Sequence, residues 1–395
     1  MIFRGLDKYS QGRLKSIDCL RGLAAFGVLL EHSLTRGNFT SIDHNLFLAL
    51  SHLALLGALG VPLFFVLSGF CIHLSWLKKN SIKHETRFDY FSFWKRRLWR
   101  LYPTYFIVTC MSAGLMLIVS LFHLHYFTAL YPEPKVRWVF YDFLAHVTML
   151  HGFIPQFDKG LGNPVFWTLA REEYLYAIYP LLLIFRNRLR WRILIPALFI
   201  LSIGTHEVGA IALSNRPHWF DLVSSSVLVV WNKWAVGAYG ADCYQKVRPW
   251  HRLSSNVWMF LLWAVTFAIT KHFHFVFGSI VSSSFLFFTL ISFCVRLEEK
   301  GRWPEWRIIH IFSKLGIFSY SLYLTHYLVI NICGKFLKTS ETMWFLGSSI
   351  LLIAISIVFA RIFFHFFEAP FMRSFNLGTE YSSEEVVLFS SGRSP

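Results

Sequence analysis

Arg21 and His32 stand eleven positions apart in "IDCLRGLAAFGVLLEHS", residues 17–33, a stretch otherwise almost wholly apolar. At 3.6 residues per turn, eleven positions make three turns plus about 20°, so on a helix both side chains project from one face, roughly 16 Å apart along the axis. They cannot touch. One suits holding part of an extended ligand, and the imidazole suits proton transfer further along it. A second group lies in "FWTLAREEYLYAIYP", 166–180, where Arg171, Glu172 and Glu173 are consecutive. Neighbours on a helix diverge by about 100°. One acid, Glu172 or Glu173, is therefore expected to face the His32 helix while the other is placed to pair with Arg171. A carboxylate beside an imidazole sets its tautomer and raises its basicity. A third group is "FSFWKRRLWRLYP", 91–103, in which Arg97 and Arg100 share a helix face and suit phosphate oxygens. Basic clusters at helix ends also arise as plain topology signals, and both readings stand.

The elements that must position these groups are membrane helices. The chain of 395 residues is 55% hydrophobic and only 15% charged, against about 25% charged in soluble domains. Its apolar residues come in runs such as "LYPTYFIVTCMSAGLMLIVSLF" and "MWFLGSSILLIAISIVFARIFF", and runs of about 20 match the hydrocarbon core of a bilayer. The sequence predicts an all-α polytopic membrane protein with ten spans, at 17–34, 54–77, 101–123, 164–185, 193–213, 223–244, 255–270, 275–295, 315–334 and 343–366. Residues 1–375 form one transmembrane domain. The polar tail 376–395 is expected to be disordered. The basic N-terminus is read as preceding an uncleaved first helix, because no small-residue cleavage site follows it.

Charge sets the expected orientation. The linker 78–100 holds eight Lys and Arg and 186–192 holds four, which marks both as cytoplasmic. Two crossings then join them, at 101–123 and 164–185, so parity forbids a third by "VRWVFYDFLAHVTMLHGF", 136–153. That segment is expected to be re-entrant or interfacial, with Trp138 and Tyr141 suited to an interface. Both termini are placed in the cytoplasm, and 26 of the 38 Lys and Arg fall on that side. The net charge of +16 is thus mainly topology, and nucleic acid is not an expected partner.

Other polar residues inside apolar runs are candidates because charge at mid-membrane is costly. Asp18 lies three residues before Arg21 and is placed to pair with it. "GVPLFFVLSGFCI", 60–72, carries Ser68 and Gly69, which admit a ligand or a neighbouring helix closely. "FSYSLYLTHYLVI", 318–330, carries Tyr323 and His326, the latter read as a packed, hydrogen-bonded histidine. Lys233 is expected to pair with a buried acid. Glu368 is expected to form a local cap or to pair with Arg361 or Arg373. The six cysteines show no metal spacing and read as free thiols. No G-x-S-x-G elbow, Walker loop, H-E-x-x-H or dinucleotide glycine pattern is present, and no permanently bound cofactor or metal is expected.

Taken in order, these stretches resemble the acyltransferase-3 family of integral-membrane O-acyltransferases, the group that includes O-antigen acetylases. "LRGLAAFGVLLEH" is similar to its R-x10-H signature, on Arg21 and His32. "FFVLSGFCI" is similar to its F-F-x-L-S-G-F-x-I block, and "RRLWRLYP" to its R-x-x-R block, on Arg97 and Arg100. "FWTLAREEYLYAIYP" resembles the block that contributes Trp167, Glu172 and Tyr176, with Thr168 where serine is usual and Arg171 where a small or apolar residue is commoner. "SYSLYLTH" and "FEAPFMR" resemble the late blocks holding Tyr323, His326 and Glu368, with Ala369 where a basic residue is frequent. The resemblance covers about residues 14–373. It implies acyl transfer from a thioester co-substrate, usually acetyl-CoA, to a hydroxyl of a cell-surface or lipid-linked glycan, in the inner (plasma) membrane of a bacterium and among its lipids. On that basis His32 is expected to act as general base, with Glu172 orienting or charging it. Arg21 is expected to bind a donor phosphate or the pantetheine arm, or to steady developing negative charge. Arg97 and Arg100, with Ser68 and Gly69, are expected on the donor, and Asp18, Trp167, Glu173, Tyr176, Tyr323, His326 and Glu368 in support. The competing expectation is a carrier or flippase of a glycan or acylated small molecule, since many spans, a re-entrant segment and intramembrane charges suit transport as well.

Overall fold

The structure, a computed structural model, describes residues 6, 9, 13–35, 50, 52–54, 57–83, 88–122, 135–247, 256–337 and 342–372. Every regular element among them is helical. Residues 376–395, Arg36 and Arg373 lie outside the described residues. Five helical elements are long and apolar enough to cross a membrane, or six if one sharply bent pair is a single span. The protein is therefore a multi-pass helical membrane protein.

Helix α1, Lys15–Thr35, has 21 residues and is about 31 Å long, a bilayer's thickness. α2 covers Gly60–Lys83. α3, Tyr90–Leu121, is the long pillar of the fold. Asp89 caps it by accepting the Ser92 N–H at 3.0 Å, and hydrogen bonds from the Ser92 side chain first and its backbone N–H second hold the Asp89 carboxyl below its ordinary range. α4, Val136–Val147, has 12 residues, about 18 Å of helix, too short to cross. A single 3-10 turn at Leu150–Phe153 follows. Trp138 and Tyr141 on α4 are half exposed.

Two expected spans are built differently from their sequence reading. The 164–185 span is broken: α5 is Phe166–Ala177 and α6 starts at Tyr179. Pro180, in the first turn of α6, lacks the N–H that would have continued the α5 ladder. The stretch Tyr179–Ala212 is itself two helices meeting at Arg190, whose φ of 59° and ψ of 156° are not helical. That break falls inside the basic linker 186–192. The 315–334 span starts later, because α11, Arg307–Ile317, and α12, Ser319–Phe336, meet at 81°. Between these come α7, Pro217–Ser224, α8, Val227–Tyr244, α9, Val257–His272, and α10, Val276–Glu299. α13, Thr342–Phe363, runs into one wide π turn at Phe364–Glu368.

Two close helix pairs set the frame. A Cβ on Gly69 of α2 would overlap the backbone carbonyl of Trp234 on α8, and one on Gly237 of α8 would overlap that of Val66 on α2. Gly22 of α1 meets Phe312 of α11 in the same way, and Gly316 meets Asp18. Small residues are what allow membrane helices to approach this far. A buried polar clamp joins the same elements at one end. Asp242 of α8 accepts from Arg186 with both oxygens at 2.8 Å, from Trp191 Nε1 at 2.7 Å, and faces His73 Nε2 at 3.0 Å. The other ring nitrogen of His73 lies 2.9 Å from the Tyr179 hydroxyl. This clamp ties α2 and α8 to both halves of the bent α6. None of the six cysteines forms a disulfide.

Candidate active site

α1, α2, α3, α5 and α12 surround one cavity of about 120 Å³. Arg21 from α1 and Arg97 and Arg100 from α3 line it, with Ser68 from α2, Glu172 and Tyr176 from α5, and Tyr323 from α12. Three guanidiniums and one carboxylate thus share a partly enclosed space. The i,i+3 spacing turns Arg97 and Arg100 the same way. The Arg97 guanidinium lies over the rings of Phe93, at 5.7 Å, and Tyr176, at 5.8 Å, which hold it in place and leave its N–H groups for a ligand.

Glu172 is fixed by two hydroxyls. Ser68 donates to Oε1 at 2.7 Å, and the Tyr176 hydroxyl, one turn on, donates to the same oxygen. Oε2 has no protein donor among the described residues. Ser68 in turn accepts from Trp234 Nε1 at 3.2 Å, which settles the direction of its own O–H. Gly69, beside it, is filled by the Trp234 backbone. Glu173 points elsewhere, with a buried Oε2.

His32 is half buried near the end of α1. Its ring stacks on His326 at 5.4 Å and meets Tyr327 edge-on at 5.2 Å. His326 is itself held at Nδ1, 3.0 Å from the Leu322 carbonyl oxygen. Tyr323 connects the two groups. Its ring lies 5.8 Å from that of His326, it lines the cavity, and its hydroxyl is 2.7 Å from Thr168, one turn before Glu172. Tyr323 thus stands between α5, the helix that carries Glu172, and the His326–His32 stack.

The other polar residues take partners the sequence did not suggest. Arg171 is buried and pairs with Asp158 at 2.6 Å, not with Glu173. It also donates to the Ser225 and Gly152 carbonyl oxygens and lies 5.8 Å from the Trp167 ring. Asp18 pairs with Arg13, which leaves Arg21 to the cavity. Glu368 accepts from Ser321, from the hydroxyl at 2.5 Å and the backbone N–H at 3.1 Å, across from α13 rather than within it. Lys233 forms no ion pair among the described residues. Trp234 and Asp158 were missed in the sequence. Neither has a local signal, since Trp234 acts from 166 positions away and Asp158 sits in an irregular loop.

This arrangement gathers three guanidiniums, a fixed carboxylate and a phenol around one cavity, with paired imidazoles on the adjoining α1 and α12. The sequence profile of the acyltransferase domain matches residues 14–361. The chain is 24% identical over 394 residues to O-acetyltransferase OatA of Staphylococcus aureus (strain NCTC 8325 / PS 47), covering 93% of this chain and 59% of that protein. It is also 24% identical over 399 residues to peptidoglycan O-acetyltransferase OatA of Listeria monocytogenes, covering 93% of this chain and 57% of that protein. Acyltransferase MdmB of Streptomyces mycarofaciens is 28% identical over 171 residues, 43% of this chain and 39% of that protein. The chain thus spans just under three fifths of the length of the OatA relatives. No solved structure matches it.

Proposed function

The chain belongs to the acyltransferase-3 family, and from that premise we propose that it is a membrane O-acyltransferase moving an acetyl group from acetyl-CoA to a sugar hydroxyl of a cell-surface or lipid-linked glycan. The observation that carries this reading is the single cavity in which Arg21, Arg97 and Arg100 meet Glu172 and Ser68. A donor with phosphates at one end and a thioester at the other matches that polarity. The family match favours the enzyme over a carrier, and the peptidoglycan named for the Listeria relative makes a peptidoglycan-like glycan the first acceptor to try. The expected setting is the inner membrane of a bacterium, with ten spans and both termini cytoplasmic. That orientation puts Arg97 and Arg100 at the cytoplasmic mouth, where acetyl-CoA is made.

In the proposed mechanism Arg97 and Arg100 hold the nucleotide phosphates. Arg21, three turns from His32, belongs to the same phosphate and pantetheine end, since it is roughly 16 Å from the imidazole along α1. His32 is the general base. It takes the proton of the acceptor hydroxyl as the oxygen attacks the thioester carbonyl; the carbon–sulfur bond then breaks and the thiolate of coenzyme A leaves, taking up a proton. His326 keeps the His32 ring in plane by stacking. Glu172, on the helix that Tyr323 meets at Thr168, favours through its charge the imidazolium that forms. Ser68 orients Glu172. Asp18, Trp167, Glu173 and Glu368 support the frame rather than the reacting atoms. No covalent acyl-enzyme is required.

The test is acetyl transfer from labelled acetyl-CoA to glycan by His32→Ala in membranes with matched protein amounts. Loss of a general base removes about 10²–10⁴-fold in rate. Near wild-type transfer would remove His32 from the mechanism.

A further inference from the structure

A second, larger cavity of about 920 Å³ opens beside α4 and α7, within the roughly 300–1,000 Å³ range of small-molecule sites. The pillar α3 touches both cavities: Arg97 and Arg100 line the first and Met116 the second. Sixteen residues of helix separate Arg100 from Met116, about 24 Å, so the two lie towards opposite ends of the fold. We propose that this second cavity binds an acidic saccharide, a carboxylate-bearing stretch of the acceptor glycan. The proposal rests on the acyltransferase reading above.

The lining has the chemistry for a sugar. Trp138 and Trp219, 47% and 44% exposed, offer flat faces to the C–H face of a pyranose. Gln156, Asn215 and His218 offer donors and acceptors to its hydroxyl edge. An acyl chain would be a poor occupant, since charged groups against lipid tails are costly.

The charge follows from the lining acids, each of which already has a partner. Asp158 pairs with Arg171 at 2.6 Å and Asp221 with Lys159 at 3.5 Å. Asp142 accepts the Leu161 N–H at 2.5 Å and faces His146 at 3.0 Å. Lys135 and Arg216 line the cavity with no ion pair among the described residues. The lining carries three cations and three carboxylates; because Arg171, behind it, pairs with Asp158, Lys135 and Arg216 are left for a sugar carboxylate.

The wall of this cavity is tied to the catalytic end. The loop at 154–163 turns tightly through positive φ at Leu161, 55°, and Gly162, 66°. It is pinned to α12 twice, by Asn163 Nδ2 to the Leu324 carbonyl oxygen at 3.0 Å and by Asn331 Nδ2 to the Gly162 carbonyl oxygen at 2.8 Å. α12 carries His326, on which His32 stacks. A glycan seated against this loop thus touches a segment hydrogen-bonded to the helix that carries His326.

The experiment uses the full chain in lipid nanodiscs, titrated calorimetrically with a hyaluronan tetrasaccharide and with chitotetraose as its uncharged counterpart. The acidic probe should bind saturably and about tenfold tighter. Trp138→Ala with Trp219→Ala should weaken both probes about tenfold, with recovery in the paired Phe variants. Lys135→Ala with Arg216→Ala should erase the acidic preference alone. Acetyl-CoA binding, measured on the same samples, should stay unchanged throughout. Absence of saccharide binding while acetyl-CoA binds would overturn this inference and leave the proposed activity standing. So would saccharide binding that survives the tryptophan changes, or a site occupied by phosphatidylglycerol that no saccharide displaces. Saccharide binding with the expected mutant pattern but without acetyl-CoA binding would support the site and remove the donor reading.

Discussion

Glu172 and Arg171 are neighbours in sequence and serve two different places. About 100° of helix rotation sends Glu172 to Ser68 and Tyr176 and Arg171 to Asp158. Glu172→Gln keeps the shape and the hydrogen bonds that Oε1 accepts but removes the charge, so transfer should fall about tenfold or more with little change in the KM for acetyl-CoA. Steady-state kinetics on acetyl-CoA check this, and a change confined to KM would move Glu172 from catalysis to binding. Arg97→Ala and Arg100→Ala should do the reverse. Each should raise the KM for acetyl-CoA roughly tenfold with kcat little changed, because a charge-assisted phosphate contact is lost about equally from ground and transition states. An unaltered donor dependence would leave the pair as topology signals.

At the scale of elements, the site depends on how closely α2 meets α8. The Gly69 and Gly237 contacts bring Trp234 Nε1 to Ser68, and through Ser68 to Glu172. Gly237→Val puts a branched side chain where the Val66 carbonyl lies. Overpacking of this kind costs about 1–3 kcal/mol, so the protein should melt at a lower temperature and lose transfer in step with that shift. An unchanged melting temperature would show that α2 and α8 can separate without loss. The bend in α6 depends on the Asp242 clamp. Asp242→Ala leaves Arg186 and His73 facing a void, at a cost of about 3–5 kcal/mol for a broken buried pair. Thermal unfolding in nanodiscs measures it, and a loss below about 1 kcal/mol would mark the clamp as solvent-screened.

For the whole molecule, the two cavities are lined by α3 residues about 24 Å apart along that helix. Acetyl-CoA bound only by the folded state at about 100 times its Kd should add about 2.7 kcal/mol of stability. A heat-protection assay should therefore show a clear upward shift, lost when Arg97 and Arg100 are both Ala. Free adenosine should not reproduce it, since the proposed grip is on phosphate.

The sequence by itself determined the membrane class, the helical content and the polar residues out of place in apolar runs. Those readings rest on local quantities: hydropathy over about 20 residues, charge at helix ends, and the rotation of one helix. The pairs Arg21–His32 and Arg97–Arg100 were legible for the same reason, each lying on a single helix. Only the tertiary structure decided the partners. Asp18 goes to Arg13, Arg171 to Asp158, Glu368 to Ser321, and Gly69 to the Trp234 backbone. The breaks at Ile178 and between α11 and α12 were likewise hidden inside apolar runs. A buried charge must find a counter-charge or donor, but hydropathy records only that the need exists, and packing between distant helices selects who answers it.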